Sequence, residues 1–179
     1  MKKYLSGSWA VIKNYLFGMI FFYIFFVGLY SKASLYSIAI FIIMSLLIYY
    51  EMAHYAGIDK RRYGSIRPYD GAIYGLLATL PMVIIQIIIS QLDLSIKGVD
   101  FATLKMNLIK GFAAPMLFIA KLGYYKIGGY ALAWSTIVIV SFLGYFAGYK
   151  NFDLSEYFRK LFGLQPKKKG PPKRKRKYI

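Results

Sequence analysis

Long apolar runs separated by short clusters of charge organise this chain, and the densest interior cluster, Glu51 to Asp70 (EMAHYAGIDKRRYGSIRPYD), has hydrophobic sequence on both flanks. Tyr15 to Tyr30 carries no charge. With Val11, Ile12 and a snorkelling Lys13 it reaches the ~20 residues a membrane-spanning helix needs, which predicts a span over 12–30. A second uncharged run starts at Leu35 and meets charge only at Glu51, predicting an antiparallel span over 35–55. Pro68 is placed to open a third, over 69–92, with a kink expected at Pro81 and Gln86 as its strongly polar member. A fourth is predicted over 128–149.

The stretch 106–121 fits none of these. Lys110 interrupts it, Pro115 lies inside it, and the charge-free part from Gly111 to Ala120 is too short to cross ~30 Å of hydrocarbon as a helix. A re-entrant or interfacial piece is expected, its broken backbone covered by the other helices. Small residues four apart, Gly71 with Gly75 and Gly144 with Gly148, mark faces that permit close helix packing. The opening segment from Met1 to Asn14 sets Lys2, Lys3 and Lys13 around Tyr4, Leu5, Trp9 and Ile12, an interfacial lead-in. Ser31, Ala33 and Ser34 faintly resemble a signal-peptidase site, but the apolar region is longer than a signal core, and a retained signal anchor is expected.

Past the last span, 150–164 is expected to form an amphipathic helix lying on the inner leaflet. Asp153 stands as N-cap with Glu156 at capping-box spacing. Leu154, Tyr157, Phe158, Leu161 and Phe162 share one helical face. The tail, 165–179, carries Lys167, Lys168, Lys169, Lys173, Arg174, Lys175, Arg176 and Lys177 among Pro166, Pro171 and Pro172. It reads as a disordered, extended, polyanion-binding arm.

Composition agrees with lipid. The chain is 58% hydrophobic and 19% aromatic, above the roughly 45–50% apolar share of soluble domains. Its net charge of +17 lies between and beyond the apolar runs, where it sets topology. With four spans and the N-terminus inside, the cytoplasmic side holds Lys2, Lys3, Lys13, the central turn (Lys60, Arg61, Arg62, Arg67) and the basic residues from Lys150 onward. Making 106–121 a fifth span, the alternative, sends either the tail or the central turn across the membrane. The expected fold is an all-α polytopic integral membrane protein of the cytoplasmic membrane, with four transmembrane helices and both termini cytoplasmic. The absence of cysteine excludes disulfides, thiolate metal sites and thiol nucleophiles.

Candidate chemistry is sparse. Glu51 and His54 share a helix face, and an ExxH pair is half of a carboxylate-bridged metal site. His54 is the only histidine, so the other half is missing; no metal and no cofactor are expected, and Glu51 is expected to face Lys60, Arg61 or Arg62 across the turn. Lys60 to Pro68 reads K-x6-RP and resembles the first phosphate-binding motif of the lipid phosphatases related to phosphatidic acid phosphatase. The resemblance implies that Lys60 and Arg67 contact a lipid phosphate. That family's reaction needs histidines in later motifs, and none follows His54, so no catalytic residue carries over. Gln86, Ser45, Ser90, Ser135 and Ser141 are mild and are expected to bond between helices. They do not make the mid-membrane ionisable path of a transporter.

The expected function is that of a non-enzymatic accessory or scaffold subunit of a membrane complex, or a homo-oligomer. Its tail would bind ribosomal RNA near a translocation site, or anionic lipid. A small transporter or channel subunit is the alternative, and a lipid-modifying enzyme the third.

Overall fold

The apolar runs and their Gly and Pro punctuation set the helices. In the computed structural model, which describes residues 2–26, 33–64, 66–91, 100–152 and 162, the elements are α1 (Lys2–Phe26), α2 (Ala33–Tyr63), α3 (Asp70–Gln91), α4 (Phe101–Phe112), a 3-10 turn (Ala114–Met116), α5 (Leu117–Leu122) and α6 (Ile127–Tyr149). The described residues contain no strand. The amphipathic helix expected over 150–164 falls almost wholly outside the described residues, and the tail entirely so.

The helices α2, α3 and α6 are long and apolar enough to cross a membrane. At 1.5 Å per residue, the 22 residues of α3 extend about 33 Å, against ~30 Å of hydrocarbon. By the same rise the 12 residues of α4 reach about 18 Å. The interfacial lead-in and the body of the first expected span form one unbroken helix, α1.

Both α1 and α6 pack on α2 and on α3, so they occupy opposite corners of a four-helix bundle. The buried positions hold Tyr15, Met44, Ile48, Met52, Tyr74, Met116 and Tyr145. The outer faces are more aliphatic than the inside: Ile42 and Ile43, Ile84, Ile87 and Ile88, Ile139 and Leu143 are all exposed. A helix hydrophobic on every side, with its few polar groups turned inward, is suited to lipid.

The glycine pairs sit where backbones meet. A Cβ on Gly144 would overlap the carbonyl oxygen of Tyr49, and one on Gly148 that of Ala53, which is how closely α6 lies on α2. On α3, a Cβ at Gly75 would come 2.8 Å from the Cα of Val138, and one at Gly71 2.7 Å from the Ser141 carbonyl oxygen.

The charged stretch 51–70 is not one turn. Helix α2 continues through Lys60, Arg61 and Arg62 to Tyr63, because residues 51–63 still present an apolar face to the bundle through Met52 and Ala56. It stops at Gly64, whose φ of +70° suits a residue without Cβ and lets its N–H reach the Lys60 carbonyl at 3.2 Å. Arg67 to Asp70 then makes a β-turn, closed by the Asp70 N–H on the Arg67 carbonyl at 3.1 Å, with Pro68 at its favoured second position. Pro68 thus precedes α3 and does not form its first turn. Helix α3 runs through Pro81 without interruption.

The stretch 106–121 is broken at its proline. Helix α4 is capped by Asp100, which accepts from the Thr103 N–H at 3.2 Å; bonds from the Thr103 hydroxyl and backbone hold its carboxyl below the usual carboxylate range. After Phe112 the chain tightens into the 3-10 turn containing Pro115. Ala113, Ala114, Pro115 and Met116 are all buried against the bundle.

Candidate functional site

Two buried polar networks hold the bundle, one near each end. The first gathers residues from all four long helices. Asp59 on α2 is 4% exposed and Asp70 at the start of α3 is 0% exposed. The Asp59 carboxylate accepts from the Tyr74 hydroxyl and from the Tyr145 hydroxyl at 3.0 Å. The rings of Tyr74 and Tyr145 meet edge to face, with centroids 5.5 Å apart. Asp70 lies 2.6 Å from the Lys3 ammonium of α1, and accepts from the Tyr4 hydroxyl at 3.4 Å and the Arg67 N–H at 3.2 Å. Each carboxylate thus has specific donors, as burial of a charge requires. Neither is open to a substrate.

The second network satisfies the backbone that the break at Ala113 leaves unpaired. The Gln86 amide of α3 donates to the Ile109 carbonyl at 3.2 Å, while its oxygen accepts from the Trp134 indole at 2.7 Å. The Tyr15 hydroxyl of α1 donates to the Phe112 carbonyl. Ser37 of α2 reaches the Ala114 and Pro115 carbonyls, each at 3.1 Å. Three helices therefore supply the hydrogen bonds that water would otherwise give, the condition for non-helical backbone away from water.

Of the polar residues noted in the spans, Gln86 bonds between elements as expected. Ser90 and Ser135 instead donate to carbonyls of their own helices, Ile87 and Ala131. Ser45 and Ser141 carry buried hydroxyls without a hydrogen-bond partner.

The expected pairing of Glu51 with Lys60, Arg61 or Arg62 is replaced by another. These residues lie on the same continuous helix, so no turn brings them face to face, and Glu51 pairs with Lys13 of α1 at 3.4 Å and with the Asn14 amide at 3.4 Å. His54, three residues on, is exposed and borders a groove between α2 and α6. Among the described residues no three His, Cys, Asp or Glu side chains lie where they could hold a metal ion. Lys60, Arg61, Arg62 and Arg67 are exposed at one end of the bundle. Arg67 donates to the Tyr69 hydroxyl at 3.0 Å. The arm residues Lys167, Lys168, Lys169, Lys173, Arg174, Lys175, Arg176 and Lys177 lie outside the described residues.

Sequence pattern could have located Asp59, since carrying the spacing of Ile48, Met52 and Ala56 one further turn places it on the buried face. Its partners Tyr74 and Tyr145 come from two other helices, α3 and α6, and leave no signal in the pattern of α2. No protein-family model, curated protein or solved structure matches the chain, so the reading of these groups rests on their own geometry.

Proposed function

We propose that this chain is a four-span integral membrane protein with both termini cytoplasmic. In this reading α1 is the fourth span, and α4, the 3-10 turn and α5 form a re-entrant element. It acts as a non-enzymatic accessory or scaffold subunit of a membrane complex, its tail holding a polyanion, ribosomal RNA or anionic lipid. The observation that carries this is that, among the described residues, the core is filled by side chains and its charged groups have specific partners. The void among Val11, Tyr15, Ala78, Met82, Trp134 and Ile137 measures about 10 Å³, at most the room of one water. A carrier or channel needs a polar path where this bundle has Tyr15, Met44, Met116 and Trp134. Among the described residues, the outer aliphatic faces and the cations at the Gly64 end remain to meet a partner.

Reporters fused after Lys177 and inserted near Gly64 are expected to report cytoplasm, and one near Val99 the opposite side. A cytoplasmic signal near Val99 with an external tail overturns the topology. For the function, the full chain is compared with one cut after Gln165 for binding to ribosomes and to anionic liposomes as salt rises. The cut should abolish most binding to one of them, with steep salt sensitivity in the full chain. Equal binding by both removes the arm from the proposal, and copurification from mild detergent without any stoichiometric partner or second copy removes the scaffold.

A further inference from the structure

The groove beside His54 is built from both helices that border it. Along α2, Tyr50, His54, Gly57 and Arg61 recur at helical spacing on one face, the face opposite buried Met52, Ala56 and Asp59. From the other side, the contact of Gly148 with Ala53 brings α6 against α2. Asn151 then takes a φ of +53°. Its N–H bonds the Gly148 carbonyl at 3.1 Å, and that of Phe152 bonds the Ala147 carbonyl at 2.8 Å, the Schellman closure of a helix end. Phe152 is thereby turned into the rim of the groove, which holds about 300 Å³.

One lining residue leaves space open on the α2 side. A Cβ on Gly57 would meet nothing within 4 Å, so this glycine serves no helix contact, unlike Gly144 or Gly148. The Arg61 Nε donates to the Gly57 carbonyl at 3.2 Å, which lays the guanidinium along the groove. Among the described residues its Nη atoms and both ring nitrogens of His54 have no protein partner. Among the described residues no acidic side chain lines the groove, and Lys60, Arg62 and Lys150 stand exposed nearby in sequence.

We propose that this groove binds the headgroup of an anionic phospholipid, the phosphate taken by Arg61 and His54 and the acyl part lying over Tyr50 and Tyr49. A planar guanidinium with open donors matches a phosphate. The lining continues from Arg61 back to Tyr49, about 18 Å of helix at the usual rise, into the apolar part of α2. A free phosphate uses only the charged end of such a groove, whereas a phospholipid uses its length. The site rests on the membrane reading of the bundle but not on the basic tail, which involves other residues.

The test is native mass spectrometry of the full chain released from mild detergent with phosphatidylglycerol or phosphatidylcholine added. Phosphatidylglycerol should be retained over phosphatidylcholine, and His54→Gln with Arg61→Gln should lower its retention about tenfold, as loss of charge-assisted hydrogen bonds implies. Gly57→Leu should do the same by filling the groove while leaving the helix content seen by circular dichroism unchanged, which separates an occupied site from a misfolded protein. Replacing Lys173, Arg174, Lys175, Arg176 and Lys177 with serine should leave retention intact, and loss of ribosome or liposome binding in that variant alone would concern the tail and not the groove. Equal retention of both lipids, no effect of Gly57→Leu, or displacement of phosphatidylglycerol by inorganic phosphate, which marks a free-anion site, overturns the proposal.

Discussion

The Lys3 ammonium lies 2.6 Å from a carboxylate oxygen of Asp70, 67 residues further along the chain. This pair ties the start of α1 to the start of α3, and Asp70 is wholly buried while the Lys3 side chain keeps 16% of its exposure. Lys3→Met leaves a buried carboxylate with only neutral donors. It is expected to destabilise by about 3 kcal/mol, the lower end for breaking a buried pair, read as a lower thermal midpoint in detergent. Adding Asp70→Asn to Lys3→Met should recover most of the loss, and an unchanged midpoint for Lys3→Met alone would show that the pair contributes little.

Tyr145→Phe removes one of the two phenol donors to Asp59. A hydrogen bond to a charged acceptor contributes about 1.5–3 kcal/mol, so a loss in that range is expected by the same measurement. Asp59→Asn combined with Tyr145→Phe should cost less than the sum of the single changes, because the two act through one contact. Strict additivity would place the tyrosine's contribution in its ring packing.

Two glycines that line the groove between α2 and α6 should respond with opposite sign. Gly148→Ala pushes a methyl into the Ala53 backbone and is expected to destabilise by about 1–3 kcal/mol. Gly57→Ala adds a methyl to open space on a helix and should stabilise by about 0.5–1 kcal/mol. Equal and small effects at both positions would mean that α6 is not held this close to α2.

Ser37→Ala withdraws the hydroxyl that serves the Ala114 and Pro115 carbonyls and lies 3.4 Å from the Phe118 N–H. Leaving those buried groups unpaired costs about 1–3 kcal/mol. The loss should be local: hydrogen–deuterium exchange is expected to speed up over 113–118 and to stay unchanged in the middle of α6. Exchange unaltered at the break would assign its order to packing by Met116 and Ile119 instead.

Much of the architecture is read directly from the chain. Apolar runs long enough to span a bilayer predict α2, α3 and α6, because a backbone without water must close its hydrogen bonds within the segment. Pro115 and Lys110 mark the interruption for the same reason, since one removes a donor and the other disfavours lipid. The glycines at 71, 75, 144 and 148 are visible as a spacing.

What the sequence could not determine depends on which distant groups meet. Charge density at 51–70 suggests a turn, but burial of Met52, Ala56 and Asp59 holds the segment helical as far as Tyr63, and so Glu51 finds Lys13 on α1 and not the cations of its own helix. Asp59 and Asp70 look like loop acids until α1, α3 and α6 bring Lys3, Tyr74 and Tyr145 to them. Gly57 looks like the other helix glycines, and only the packed bundle shows that its missing side chain leaves space open. Periodicity and charge act along the chain and are legible there. Pairing of buried polar groups, and the space between helices, are set by the tertiary structure because their partners lie tens of residues apart.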